Sequence, residues 1–510
     1  MDESKDTGAQ ELATQGGITF IGNLFGKLLG FIFVAAATRL VTPSQYGIFT
    51  LSLSVVLFTQ GFASLNIYRS VDYFVPQFLN NDNYGKAKKT LQNTFLIGIG
   101  ASILGSLILF LLREQIAAAF GVPEISTILP YLALLIPLQT ILRTFISIFN
   151  SMKIMKYRVI INDILNPLIR TLGAVILITL GGGVLGLVGG YLLGATFAIL
   201  CGFAFFVYEA EWIRSTESSS VSNQELLSYS LPLVLAGVIY SLVGQMDYFA
   251  IGFFLNSEDV GKYRVAYLLT GNLLIVLTAV TPVFKPMIAE NKSDTAELRD
   301  LYQLATRWIT MLTLPLAVTL IIAPDTYLSL LFTKEYSTSA FAVVALSLGY
   351  LFNASFGPEG MVLEGLGHTR LTLINTFVLV TVNGVLNVLL IPYFGTLGAG
   401  IATGTALTLT GLIGVIEIYI LRSIHPLTAP LASIWLAILP SVILGKVVSE
   451  LNEGQLATAI MLPIVIGGTY LITLRVIKAF TPTDIETASQ IDDSIGYPVL
   501  QSLTGFTRNE

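Results

Sequence analysis

Residues 42 to 54 read TPSQYGIFTLSLS, a short polar turn opening into an apolar stretch through Tyr46, Gly47 and Phe49. Residues 256 to 268 read NSEDVGKYRVAYL, with the same order of polar turn, glycine and an aromatic two places on. Gly47 answers to Gly261 and Phe49 to Tyr263, both 214 positions later. Four further pairs keep nearly the same spacing and order: Pro76 with Pro286 at 210, Arg158 with Arg370 at 212, and Gly183 and Gly186 with Gly395 and Gly398 at 212. Shared membrane-helix composition would give isolated matches, whereas a consistent offset implies a duplicated unit.

The surroundings of these turns decide what is duplicated. The 510 residues are 54% hydrophobic and only 12% charged, which excludes a soluble surface. A membrane crossing needs about 20 mostly apolar residues, and such stretches recur from end to end. They fall at 18–40, 48–68, 91–112, 127–149, 159–180 and 184–208 in the first part, and at 229–255, 263–284, 304–323, 340–357, 371–391 and 397–421 in the second. Two more, at 430–449 and 456–478, are interrupted by Pro440, Lys446 and Pro463. The expectation is an all-α integral membrane protein of about 14 transmembrane helices, built as two pseudo-symmetric six-helix bundles plus two C-terminal helices.

Six crossings per repeat is an even number, so both bundles enter the membrane in the same direction, related by an axis along its normal. The expected organisation is an N-terminal tail at 1–17, a first lobe at 18–208, a Ser-rich charged linker at 209–228, a second lobe at 229–421, the added pair at 430–478 and a tail at 479–510. The polar start and the long first apolar run argue against a cleaved signal. With the N-terminus inside, eighteen basic residues fall on inner segments and six, Arg264 among them, on outer ones, so both termini are expected in the cytoplasm of a cell-membrane protein. One cysteine and two histidines exclude a disulfide framework and argue against a Cys/His metal site.

The stretches GNLFGKLLGFIFVAAATRLVTPSQYGIFTLSLS (22 to 54), QMDYFAIGFFLNSEDVGKYRVAYLL (245 to 269) and LLIPYFGTLGAGIATG (389 to 404) resemble the oligosaccharide flippases of the multidrug, oligosaccharidyl-lipid and polysaccharide exporter superfamily. The third is the most specific, a proline ending one helix and a Gly-x-x-Gly turn starting the next. The resemblance extends over about residues 15 to 480. It implies a fourteen-helix fold and transport of a lipid-linked oligosaccharide, but does not name the substrate.

Charges inside apolar helices cost about 2.5 to 3.5 kcal/mol each on the insertion scale, so those that persist face a cavity or a partner. Lys27 shares a helical face with Asn23 and Gly30. Asp163, Asn166 and Arg170 form a polar stripe at i, i+3 and i+7, and Arg143 follows Gln139 by four residues. Lys27, Arg143 and Arg170 are candidates to bind a phosphate or diphosphate head group, Arg through bidentate hydrogen bonds and Lys as a point charge. The bland alternatives are partners on neighbouring helices and, for Arg143, a side chain reaching the inner interface. Asp247, and secondarily Asp163, are candidates for energy coupling, with a basic partner on another helix as the alternative. Thr483 and Glu486 form a candidate capping box in the tail.

Three functions compete. A flippase for a polyprenyl-phosphate- or diphosphate-linked oligosaccharide leads; its other contacts would be membrane lipid and glycan-assembly enzymes, with no cofactor and no nucleic acid. A multidrug/cation antiporter of the same superfamily is the alternative, disfavoured by the two added spans. A membrane glycosyltransferase would need an Asp-x-Asp metal motif or a sizeable catalytic loop, and the sequence offers neither, so an enzyme is not expected. No Gly-x-x-x-x-Gly-Lys-Ser/Thr loop is present to bind a nucleotide.

Overall fold

A computed structural model describes residues 3–214, 219–451 and 454–495. The described residues are helical with no strand, and they divide into two compact units meeting between Arg264 and Val265.

The first unit comprises α1 (Glu3–Leu40), α2 (Pro43–Ala63), α3 (Arg69–Asn80), α4 (Tyr84–Phe120), α5 (Glu124–Ala133), α6 (Leu135–Ser151), α7 (Met155–Arg158), α8 (Asn166–Leu177), α9 (Gly183–Glu209), α10 (Asn223–Phe254) and the start of α11 (Ser257–Gly271). The second takes up the rest of α11 and continues through α12 (Ile275–Glu290), α13 (Thr295–Ile322), α14 (Pro324–Leu331), α15 (Ala340–Phe356), α16 (Glu359–Gly365), α17 (Thr369–Arg422), α18 (Ala429–Ala437), α19 (Leu439–Leu451), α20 (Gln455–Val476) and α21 (Pro482–Ile495).

Among the described residues, twelve helical segments are long and apolar enough to cross a membrane. Two of them, Met155–Glu209 with 55 residues and Thr369–Arg422 with 54, would each run to about 80 Å if straight, against a hydrocarbon core of about 30 Å. Both fold back. In the first, the chain passes through Gly181 (φ 93°, ψ 8°) and Gly183 (φ 49°, ψ −128°), conformations that a side chain disfavours. The arms then run antiparallel: a Cβ on Gly186 would lie 2.8 Å from the Ile178 nitrogen, one on Gly190 2.6 Å from the Arg170 carbonyl, and one on Gly194 2.7 Å from the Asn166 carbonyl. In α17 the break is Gly395 (φ 59°, ψ −138°). Asn383 Nδ2 donates to Thr403 Oγ1 at 3.0 Å and Asn375 Nδ2 to Glu417 Oε2 at 2.7 Å, pairs disposed about that glycine. The repeat inferred from sequence thus has a matching backbone, since Gly183 and Gly395 share nearly the same dihedral angles. The expectation of about fourteen crossings counts each of these hairpins twice.

The opening pair of turns also meets within the first unit. Thr42 and Gln45 form a capping box at the start of α2, with Pro43 in its first turn. There α2 crosses the first turn of α11 so closely that a Cβ on Gly47 would sit 1.6 Å from the Ser257 carbonyl oxygen, and one on Gly261 2.3 Å from the Pro43 carbonyl oxygen. Ser44 Oγ and Ser257 Oγ share a hydrogen bond of 3.1 Å across the crossing. Repeat-equivalent residues therefore pack on each other within the first unit.

In the second unit the tail returns to the bundle. Arg307 of α13 forms a buried ion pair with Asp484 of α21 and donates to Thr481 Oγ1 at 2.7 Å, while Trp308 Nε1 donates to Asp484 Oδ1 at 3.0 Å. The capping box at the tail helix is Thr481 with Asp484, two positions before the expected Thr483 and Glu486: the Thr481 amide donates to Asp484 Oδ2 at 2.8 Å and the Asp484 amide to Thr481 Oγ1 at 3.4 Å. Pro482, whose ring suits the first helical position, fixes that start. Arg307, counted with the inner basic residues although it falls at the start of the expected span 304–323, is buried within α13.

Candidate functional site

The first unit encloses a cavity of about 110 Å³ between α1, α2, α9, α10 and α11. Its polar lining comes from Tyr46, Thr50 and Ser54 of α2, Tyr191 of α9, Gln245 of α10 and Arg264 of α11; the remaining wall is aliphatic or Phe49, and none of the lining residues is acidic. The capped start of α2 sets the phase that turns Tyr46, Thr50 and Ser54 inward, each four residues from the next.

Arg264 is the cation of this cavity. Its Nη1 donates to the Tyr248 hydroxyl at 2.9 Å, and its guanidinium stands 5.5 Å from the Tyr248 ring centroid. Sequence reasoning missed it, counting it as an outer-loop charge because it lies one residue inside the expected span. The signal that could have found it is the repeat: at the 214-residue offset Arg264 answers to Thr50, and both residues line the same cavity.

Tyr191 joins this cavity to one of the expected site residues. Arg170 lies against two adjoining rings, 4.8 Å from the centroid of Tyr191 and 5.0 Å from that of Phe33, whose centroids are themselves 5.4 Å apart, a cation–π contact with each. Its Nε is buried without a hydrogen-bond acceptor. Gly30 of α1 is the near neighbour of the guanidinium, since a Cβ there would be 3.9 Å from Arg170 Nη2, an ordinary contact. Two arginines thus stand beside one tyrosine, each guanidinium carrying five N–H donors, of which Arg264 commits one to Tyr248 and leaves others for an oxyanion.

The other expected residues are placed differently. Lys27 is exposed on α1. Arg143 donates from Nη1 to the Tyr68 hydroxyl at 3.1 Å and lies 5.6 Å from that ring, away from the Arg170 partners. Between Asp163 and Arg170 the winding changes, since Val159–Leu165 is a π-helix, yet both residues lie against α1, Asp163 at Gly26 and Arg170 at Gly30. Asp163 Oδ1 accepts from Asn162 Nδ2 at 2.6 Å, and its backbone packs on Gly26 of α1, where a Cβ would be 3.1 Å from the Asp163 carbonyl. Asp247 is buried at 6% exposure and accepts from the Tyr263 hydroxyl at 2.6 Å.

Comparison with known proteins fits this architecture. The lipid II flippase MurJ in an inward closed conformation superposes with a TM-score of 0.72 at 15% identity, over 90% of this chain and 98% of that one. An inward-facing multidrug resistance transporter of the MATE family gives 0.68 at 14% identity, over 78% and 94%. At such identity the likeness shows the fold alone. In sequence, the chain is 25% identical over 177 residues to the probable low-salt glycan biosynthesis flippase Agl15 of Haloferax volcanii, a match that spans 34% of this chain and 37% of that relative. The family model described as "Polysaccharide biosynthesis protein" matches residues 36–341. That is more than half of the chain, and this multi-pass membrane protein belongs to the polysaccharide biosynthesis protein family.

Proposed function

We propose that the protein is a flippase that carries a lipid-linked oligosaccharide or polysaccharide precursor across the cell membrane by alternating access, with no covalent bond made or broken. The observation that carries this reading is Arg264 in the wall of a cavity that has no acidic lining. A guanidinium held among apolar and aromatic groups suits a phosphate or diphosphate linking group, and the same charge repels an organic cation, which counts against the antiporter alternative. Arg170, across Tyr191, supplies a second cation for that group, with Lys27 and Arg143 as further contributors of positive potential. The lipid tail would stay in the bilayer while the glycan crosses.

The membrane arrangement belongs to the same reading: fourteen crossings with both hairpins counted twice, lobes at 18–208 and 229–421 joined by 209–228, and both termini in the cytoplasm. Asp163 and Asp247 are proposed to take part in coupling, directly or through the helices they hold. Names of relatives such as Agl15 support the substrate class.

The test is flipping of a fluorescent polyprenyl-diphosphate-linked oligosaccharide in proteoliposomes. Loss of a charge-assisted hydrogen bond, roughly 1.5 to 3 kcal/mol, predicts that Arg264→Ala slows flipping about ten- to hundredfold, with Arg264→Lys retaining part of it. Undiminished flipping by Arg264→Ala, or faster transport of a lipophilic organic cation than of the glycolipid by wild type, would sink the proposal.

A further inference from the structure

Two consecutive residues of α10 are bonded to two consecutive residues of α11. The Tyr263 hydroxyl donates to Asp247 Oδ2 at 2.6 Å, and Arg264 Nη1 donates to the Tyr248 hydroxyl at 2.9 Å. Both pairs are 16 residues apart, as rungs of the antiparallel hairpin that turns at Leu255 and Asn256. The rungs also touch each other, for the Tyr248 and Tyr263 rings meet edge to face with centroids 6.0 Å apart. Tyr248 is 1% exposed and Tyr263 0%, so bulk water does not replace either bond.

Such an arrangement orients a side chain. An arginine has four rotatable side-chain bonds, and its fork binds an oxyanion well only when it is held. Tyr248 supplies one of the acceptors that hold Arg264, beside Tyr46 of the cavity wall. Its own ring is held by the edge of Tyr263, and Tyr263 is fixed at its far end by the Asp247 carboxylate. The bond to that carboxylate is 2.6 Å long.

We propose that Asp247 and Tyr263 are positioning residues for Arg264, setting through Tyr248 the orientation in which the guanidinium meets the phosphate group of the substrate. This rests on the flippase reading of the cavity. It assigns to Tyr263, which had no functional part in the sequence analysis, a part in substrate affinity, and to the Asp247 carboxylate the task of anchoring Tyr263.

The experiment measures binding of inorganic pyrophosphate to the purified full-length chain by titration calorimetry, which reports affinity and stoichiometry separately. Tyr263→Phe, which deletes one hydroxyl and keeps the ring, is expected to weaken binding about three- to tenfold at unchanged stoichiometry. Asp247→Ala should do the same, with Asp247→Asn, which keeps an acceptor oxygen, losing less. In an Arg264→Lys background, adding Tyr263→Phe should change nothing more, because there is no fork left to orient. Wild-type affinity in Tyr263→Phe, alongside loss of binding in Arg264→Ala, overturns the positioning role and leaves the cavity reading standing. Wild-type affinity in Arg264→Ala overturns both. A Tyr263→Phe variant that binds with less than one site per chain has lost its fold rather than the orientation of Arg264, and counts against the inference.

Discussion

Replacing Gly47 by alanine tests the crossing of α2 and α11 at its tightest point. The added Cβ would lie 1.6 Å from the Ser257 carbonyl oxygen, 2.6 Å from the Ser257 carbonyl carbon and 3.0 Å from the Gly261 nitrogen. All three are backbone atoms, so no rotamer change relieves the clash and no trimming of the Ser257 side chain rescues it. To reach the 3.0 Å below which Cβ contacts are essentially not seen, the helices must separate by about 1.4 Å. That separation stretches the 3.1 Å Ser44–Ser257 hydrogen bond past its useful range. Overpacking of this kind costs typically 1 to 3 kcal/mol and the lost bond about 1 more, so Gly47→Ala should destabilise the first unit by roughly 2 to 4 kcal/mol. The assay is thermal unfolding of the purified protein followed by loss of its monodisperse elution peak. Gly100→Ala is the control: it lies inside α4 with nothing within 4 Å of the added atom, and is expected to be neutral or slightly stabilising. If Gly47→Ala melts with the wild type, the two backbones are not in this contact and the packing of repeat-equivalent turns is wrong.

Other consequences can be checked more briefly. Burial raises the Asp72 carboxyl above its ordinary value, opposed by hydrogen bonds from Ser147 and Asn150 and by the charges of Arg69 on its own helix and Arg158 on α7. A raised carboxyl binds its proton more tightly in the folded state. Its stabilising contribution is therefore complete below the ordinary carboxylate value and lost as pH rises through the folded one. Asp72→Asn should flatten that part of the melting-versus-pH curve, and an unchanged slope would refute the assignment. Breaking the buried Arg307–Asp484 pair with Asp484→Ala leaves an uncompensated charge and should cost roughly 3 to 5 kcal/mol, seen as tail cleavage by a protease at concentrations that spare the wild type. For topology, single cysteines at Lys88, Lys156 and Arg370, made after replacing Cys201, should resist an impermeant thiol reagent in intact cells, whereas one at Lys334 should react; labelling of the first three would reverse the orientation.

What was legible in the sequence was what local chemistry dictates. Glycine at 183 and 395 announced a backbone that other residues avoid, and the two hairpins turn there. The common offset of the turns announced the repeat, because a duplicated bundle must reuse its turn residues. Arg264 and Arg307 were not legible, since a charge near the end of an apolar run looks interfacial until its partners are known. Those partners are 16 residues away for Arg264 and 177 for Arg307. The spacing of Asp163 from Arg170 could be read only approximately: such arguments assume 3.6 residues per turn, and the π-wound segment Val159–Leu165 does not obey it, although both residues lie against α1. Arg170 stood out as a charge in an apolar helix, whereas Tyr191, which connects it to the cavity, carried no such mark.

The crossing of α2 and α11 also has a consequence for how the chain is made. In each hairpin the arms touch across a few tens of residues, Gly190 against Arg170 for example, so those contacts can form soon after the segment emerges. Gly47 cannot meet Gly261 until 214 further residues have been synthesised. At about 5 to 20 residues per second, α2 waits on the order of ten seconds or more for the backbone that covers it. During that interval its glycine face, too narrow for any side chain in the finished protein, must be sheltered by lipid, by the translocation machinery or by the helices already in place.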